Sequence, residues 1–268
     1  MISFPNAKIN LGLNITSKRS DGYHNLETCF YPVQWNDILE ILPSEQLQFN
    51  SSGIAIPGDG KDNLCLRAYQ LLRDDFDIPP VQMHLHKIIP IGAGLGGGSA
   101  DASFTLKALN DIFELKISDD KLEDYAAKLG SDCPFFIRNK PVMAKGTGNE
   151  FSPIGLDLSG KFILLIKPDI HVSTAEAYAG ITPREPQKHI ADMLMEPIES
   201  WKGFLINDFE KGIFKLHPAI AEMKDSLYDD GAIYACMSGS GSSVFGIYDQ
   251  EPALPNGFSS FQHWIGQL

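Results

Sequence analysis

The chain has 268 residues, 43% of them hydrophobic and 21% charged, a composition that supports a sizeable core and excludes disorder, collagen and coiled coil as the main architecture. Its longest purely aliphatic stretch, Ile163 to Ile166, is far short of the ~18 apolar residues of a membrane span, and no basic-then-apolar leader opens it, so neither a membrane nor secretion is expected. A formal charge of −12 leaves no basic face for nucleic acid, and four scattered cysteines without CxxC spacing argue for a reducing, cytoplasmic setting.

From Ala7 to Ile15 apolar and polar residues alternate, the period of a strand, with Lys8 and Asn10 on the face opposite Ile9, Leu11, Leu13 and Ile15. Asp21-Gly22 then marks a tight turn before Tyr23 and His24. A helix is expected from Asp62, capped by Asp62 or Asn63, with Leu64, Ala68, Leu71 and Leu72 as its stripe. Val81 to Ile89 reads as a strand ending at Pro90. The glycine-rich run Gly92 to Gly98 follows, and behind Ser99 the positions Ala102, Leu106, Leu109 and Phe113 keep helical spacing. A second helix carries Leu122, Tyr125, Ala126 and Leu129, with Gly130 placed for a C-terminal cap. Pro134 biases Cys133 away from helix, so Ser131 to Pro134 is a turn. Lys145–Asn149 and Pro153–Gly160 look like a hinge, giving domains 1–150 and 151–268. The second half offers a strand over Phe162–Ile166 and a helix through Tyr178 capped by Ser173 or Thr174. A proline-bearing loop spans Thr182–Pro186, with helical patterns around Asn207–Phe209 and over Ile220–Leu227. Strands Ala232–Met237 and Val244–Tyr248 flank the Ser-Gly run 238–243. This mixture indicates an α+β or α/β protein in two lobes.

Five glycines in seven positions, feeding a helix start, suit an anion that must approach the backbone closely. The run is not a Walker A loop, because Ser99 and Ala100 follow Gly98 where Lys-Ser/Thr is required. Gly92, Gly94 and Gly97 match GxGxxG, and Glu114 or Asp119 stands near the distance of a ribose-binding acid, so a dinucleotide site stays open at this point.

Pro90-Ile-Gly-Ala-Gly-Leu-Gly-Gly-Gly-Ser-Ala-Asp-Ala102 resembles the central motif of the GHMP kinases. Ala7-Lys-Ile-Asn-Leu11, Asp21-Gly-Tyr-His24, Gly130-Ser-Asp-Cys-Pro-Phe-Phe136 and Met237-Ser-Gly-Ser-Gly241 extend the resemblance in register to about Tyr248. They match the branch whose acceptor is a cytidine-diphosphate-linked methylerythritol in non-mevalonate isoprenoid synthesis. The resemblance implies a two-lobed α+β fold: an N-terminal lobe with a left-handed β-α-β crossover and a ferredoxin-like C-terminal lobe. It implies ATP and magnesium, a small-molecule cytidylyl substrate, and a monomer or weak homodimer.

The same resemblance assigns roles. Asp132 is the base and Lys8 orients it and offsets charge on the attacking oxygen. Nucleotide contacts fall on Pro90, Gly92, Gly94, Leu95, Gly96, Gly97, Gly98 and Ser99, with Asn63 and Lys87 near adenine and Ser99 on or near the metal. Tyr23 and Tyr178 sandwich cytosine, His24 bonds its edge, Asn10 holds the substrate near Lys8, and Ser238, Gly239 and Gly241 close over the reacting end. Each has a plainer reading: a solvated strand lysine, a turn-capping aspartate, a helix-cap asparagine, a surface tyrosine, a hairpin loop. One departure is Ala100, where the family commonly has a second serine.

Overall fold

The computed structural model describes residues 1–58 and 62–268. In chain order they form strands β1 (Ile2–Ser3), β2 (Asn6–Lys18), β3 (His24–Asn36), β4 (Ile38–Pro43) and β5 (Gln48–Gly53), helix α1 (Leu64–Phe76), strand β6 (Val81–Lys87) and helices α2 (Gly97–Ile112), α3 (Asp119–Ala127) and α4 (Phe135–Arg138). Strands β7 (Val142–Lys145), β8 (Glu150–Pro153) and β9 (Phe162–Lys167) follow, then helices α5 (Thr174–Ala179), α6 (Ile190–Leu194), α7 (Glu210–Leu216) and α8 (Pro218–Asp229), and strands β10 (Tyr234–Met237), β11 (Val244–Tyr248) and β12 (Gln262–Gln267). Two units exchange segments: Met1–Ala7, Trp35–Ile91 and Gly96–Lys140 make the first, and Lys8–Gln34, Gly92–Leu95 and Pro141–Leu268 the second. No single cut separates them, and residue 150 lies inside the second.

In the first unit the sheet runs β1-β4-β6-β5. β4 is antiparallel to β6 and β5 is parallel to it. Parallel neighbours need a crossover, and α1 supplies it. That helix starts where Asn63 Oδ1 accepts the Cys65 amide at 2.8 Å, so Asn63 is its cap. Its buried face is Cys65, Ala68, Tyr69 and Leu72, at the i, i+3, i+4, i+7 spacing of one helical stripe. The expected stripe is turned slightly: Leu64 and Leu71 are only partly buried. These residues join Leu39, Ile41, Met83 and Leu85 of the sheet and Leu106 and Leu109 of α2 in one core.

Three local expectations change. Helix α2 begins at Gly97, ahead of Ser99, with left-handed Gly96 (φ +70°) as its cap. Helix α3 ends at Ala127 with Lys128 in a right-handed conformation, so Gly130 is not a left-handed cap. A Cβ there would lie 3.3 Å from the Cys133 sulfur, and room for that sulfur is what the glycine supplies. The supposed hinge is instead the β7–β8 hairpin, turning at Gly146 and Gly148, both left-handed.

The second unit holds a β2-β3-β7-β8 sheet and a β10-β11-β9-β12 sheet. The latter is antiparallel throughout. Its order β12-β9-β11-β10 is that of a ferredoxin-like split β-α-β sheet, although β11 reaches β12 without an intervening helix. Leu164 and Ile166 of β9 pack with Ile220, Met223 and Leu227 of α8 in its core. Among the described residues no helix is long and apolar enough to cross a membrane.

Leu72 is 0% exposed at the α1–α2 contact. Leu72→Ala should destabilise the protein by about 2–5 kcal/mol in urea unfolding; a loss below about 1 kcal/mol would mean that the site collapses around the cavity or contributes little packing.

Candidate active site

The glycine run is a chain of left-handed positions, with φ of +63° at Gly92, +78° at Gly94 and +70° at Gly96, a sequence open to glycine and strained for other residues. The first intrahelical bond of α2 runs from the Ala100 amide to the Gly96 carbonyl at 2.9 Å. The amides of Gly97, Gly98 and Ser99 therefore precede the ladder, at the positive end of a 16-residue helix. Gly98 is exposed, Ser99 is half-buried and Ala100 is fully buried, so a hydroxyl at position 100 would be directed into packed interior. The dinucleotide alternative fails here: β6 has one parallel and one antiparallel neighbour, not the parallel βαβαβ frame that the fingerprint requires.

Lys87 was expected near adenine. Its ammonium is buried in an ion triad, bonded to Asp37 Oδ2 and, at 2.8 Å, to Asp101 Oδ2. Asp37 Oδ1 also accepts the Ile88 and Ile89 amides at 2.5 and 2.8 Å. Burial works to lower the Lys87 ammonium, but Asp101 and Asp37 hold it above the usual lysine value. Burial also pushes Asp101 up to about 7 against the pull of Lys87, and Asp37 adds to the rise. Asp37 holds two backbone amides besides the ammonium, whereas Asp101 Oδ1 is buried and has no hydrogen-bond partner among the described residues.

Helix α2 also carries a polar ridge at i, i+4, i+8. The Ser99 hydroxyl lies on the Cys133 thiol, which burial raises to about 11 and Ser99 partly lowers. Ser103 Oγ donates to the Cys133 carbonyl at 2.6 Å, and Lys107 Nζ to the Ile137 carbonyl at 3.1 Å. Asp132 sits in the turn this ridge grips, half-buried, and its charge acts on Cys133.

In the second unit Lys8 is 4% exposed, not solvated. Its Nζ donates to Asn10 Oδ1 at 2.6 Å, Asn10 Nδ2 donates to Thr28 Oγ1 at 3.0 Å, and that hydroxyl donates to the Gly12 carbonyl. The ammonium also stands 4.8 Å from the centre of the Phe30 ring. The Lys8 amide bonds the Leu95 carbonyl at 2.9 Å, which ties β2 to the start of the glycine run. Ser238 Oγ donates to the Gly94 carbonyl at 2.9 Å, and the Ser243 amide reaches Ala93 O at 3.3 Å. Buried Asn207 supports this loop from below, donating to the Met237 and Gly239 carbonyls at 2.8 and 2.7 Å. A Cβ on Gly239 would lie 3.2 Å from Gly94 O and 3.4 Å from Asn10 Oδ1, so the two glycine loops and the Lys8 strand meet without side chains between them. Gly241 is left-handed at φ +90°.

The structure brings two of the aromatic candidates together. His24 stacks on Tyr178 at 4.8 Å between centroids and 22° between planes, and Tyr178 in turn meets Phe209 edge-on at 4.9 Å. Tyr23 is 67% exposed at the β2–β3 turn. Asp21 Oδ1 accepts the Tyr23 amide at 3.0 Å. That bond, more than nearby Arg19, holds the Asp21 carboxyl below its usual value.

A Cβ on Gly94 would sit 2.0 Å from the Ser238 carbonyl, on a left-handed backbone. Gly94→Ala should therefore separate the two loops and abolish phosphoryl transfer in a protein that still shows a cooperative melt. Retained activity would mean that the loop contact is dispensable. For pH, the raised Asp101 means that the folded state binds a proton between its ordinary carboxylate value and about 7 that the unfolded chain releases. Stability from this group is present on the acid side and lost as pH rises through about 7. The thermal midpoint should fall more between about pH 6 and 8 in wild type than in Asp101→Asn; equal falls would remove Asp101 from the titration.

Family comparison agrees with this geometry. Residues 63–140 match the GHMP kinases N terminal domain and residues 190–260 the GHMP kinases C terminal. A Cytophaga hutchinsonii protein named 4-diphosphocytidyl-2-C-methyl-D-erythritol kinase is 56% identical over 94% of each chain, and one of the same name from Parabacteroides distasonis is 50% identical over 100% of each. A crystal structure of 4-(cytidine 5'-diphospho)-2C-methyl-D-erythritol kinase superposes with a TM-score of 0.79 at 29% identity, covering 99% of this chain and 98% of that one. A Cytophaga hutchinsonii homoserine kinase structure, at 16% identity and a TM-score of 0.60 over 92% of this chain and 86% of that one, shares the fold. The chain thus belongs to the GHMP kinase family, in the branch of its relatives named 4-diphosphocytidyl-2-C-methyl-D-erythritol kinase.

Proposed function

We propose that this kinase transfers the γ-phosphoryl group of ATP to the 2-hydroxyl of 4-diphosphocytidyl-2-C-methyl-D-erythritol, giving the 2-phosphate and ADP. The observation that carries the reading is the left-handed glycine run entering α2, whose first amides stand ahead of the helical ladder. Such a helix start binds phosphate through backbone donors and the dipole together. The acceptor follows the two relatives whose names specify it.

Phosphoryl transfer asks for positioning and charge stabilisation. Asp132 accepts the proton of the attacking hydroxyl as the bond to phosphorus forms and the bond to the ADP oxygen breaks. Lys8 keeps an ammonium at the developing negative charge. Its bond to Asn10 restricts where that charge can stand. Ser238, Gly239 and Gly241 supply backbone donors at the reacting end. Tyr178 and His24 already form an aromatic platform, and exposed Tyr23 provides the second face for a cytosine. Magnesium supplies neutralisation of phosphate charge. Ser99, half-buried at the start of α2, is the residue that would hold the ion beside the phosphates. The cysteines are buried free thiols, as suits a reducing cytoplasm.

ADP release from Mg-ATP should occur with the cytidylyl acceptor and not with its uncytidylylated phosphate, mevalonate, homoserine or galactose. Turnover with another acceptor would keep the kinase and discard the pyrimidine platform. Asp132→Asn should lower kcat by about 10²-fold or more in a folded protein, and near-normal turnover would remove Asp132 as base. Tyr23→Ala should raise KM for the acceptor alone; an equal rise for ATP would point to general destabilisation.

A further inference from the structure

Lys87 lies three residues before Pro90, and a lysine so near a phosphate loop invites the reading that its ammonium touches the nucleotide. The geometry assigns it otherwise. We propose that Asp37 and Asp101 are positioning residues for the nucleotide phosphates, acting through Lys87, and that the Lys87 ammonium holds the start of α2 in place. The proposal rests on reading that helix start as the phosphate site.

Three observations carry it. First, Asp37 fixes the exit of β6: one of its oxygens takes the consecutive amides of Ile88 and Ile89, immediately before Pro90. Neither amide then has freedom to re-pair, so the direction in which the strand ends is set by a side chain 50 residues earlier in the sequence. Second, the other Asp37 oxygen and Asp101 Oδ2 share the Lys87 ammonium. Asp101 lies in the second turn of α2, so the bridge ties the helix to the strand close to its N-terminus. Third, the first residue of α2 rests on the bridge. A Cβ on Gly97 would lie 2.9 Å from Lys87 Nζ and 2.9 Å from Ile89 Cγ2. Gly97 has an ordinary helical backbone, so the missing side chain there is a matter of space. The helix start is as close to the ammonium as a bare backbone allows.

Burial decides between the two readings of Lys87. Its side chain is 3% exposed, with Asp37 at 0% and Asp101 at 5%. An ammonium already sharing two carboxylates in a dry interior has little to gain from leaving them for a solvated phosphate, because two buried carboxylates would be left uncompensated. Such a triad is a poor way to gain stability compared with apolar residues of equal volume. It does supply directed bonds that a methylene core cannot, and here those bonds end on the strand exit and on the helix that bears the anion site.

The test uses wild type, Asp101→Asn, Lys87→Met and the double variant. Each is checked by thermal melting, then titrated with ATP and with adenosine and assayed for KM of both substrates. A displaced helix start should raise Kd and KM for ATP at least about tenfold, since small misplacements of positioning groups are costly. Adenosine affinity and acceptor KM should stay within about twofold, because neither reports on phosphate positioning. Asp101→Asn and Lys87→Met should be strongly non-additive, since each breaks the same bridge. Unchanged ATP affinity in folded Asp101→Asn overturns the proposal. So does a loss in Lys87→Met that Asp101→Asn does not share, which would put the ammonium on the nucleotide. Where Lys87→Met does not fold, the near-isosteric Asp101→Asn decides alone. Wild type that fails to bind ATP withdraws the kinase reading itself, whereas wild type that binds it beside variants that bind it equally withdraws only the positioning role.

Discussion

The first unit depends on one buried ammonium held between two carboxylates. Lys87 links the strand β6 to the helix α2, and Asp37 fixes the backbone where β6 ends. Once α2 is placed, its other contacts follow. Its apolar side closes the core against α1, and its polar ridge, Ser99, Ser103 and Lys107, holds the turn that carries Asp132. The amides ahead of the helical ladder and the turn that carries Asp132 are therefore both placed by the same helix.

The second unit also takes an ammonium out of water. Lys8 is taken into the interior of β2, but its positive charge is met by an amide oxygen, and the bonds then pass through Asn10 and Thr28 to the Gly12 carbonyl. Burying a charge costs several kcal/mol unless hydrogen bonds replace water. That chain of bonds ends on a backbone carbonyl and restricts where the ammonium can stand. The Phe30 ring beside it contributes a cation–π contact that demands no directional donor.

These differences explain what the sequence could disclose. Strand β2 was legible from its alternation, and α1, α2, α5 and β11 from periodicity and caps. The burial of both faces of β2 was not: Lys8, Asn10 and Asn14 look polar and therefore wet, and only partners distant in sequence make them dry. A triad joining positions 37, 87 and 101 leaves no local period by which the sequence could announce it. Ser103 and Lys107 were hidden by the apolar stripe that runs beside them. Strand β12 went unseen because Gln262–Gln267 mixes glutamine, histidine and tryptophan without strict alternation. The glycine run suggested a helix that starts behind it, since two glycines in a first turn are poor helix formers, and α2 begins inside it at Gly97. The stacking of His24 on Tyr178 joins residues 154 positions apart and leaves no local pattern in the sequence.

The glycines of the loop also differ in what requires them. Gly94 is needed by the protein itself, because the Ser238 carbonyl occupies the space of its Cβ. Gly97 is needed for the same kind of reason, with the Lys87 ammonium and Ile89 in that space. Gly98 is not. It is exposed, it has an ordinary helical backbone, and a Cβ there would make only a normal 3.8 Å contact with Leu64. Alanine would suit that helical position better than glycine by roughly 1 kcal/mol. The Gly98 backbone amide lies ahead of the helical ladder, the kind of donor through which a helix start meets an anion.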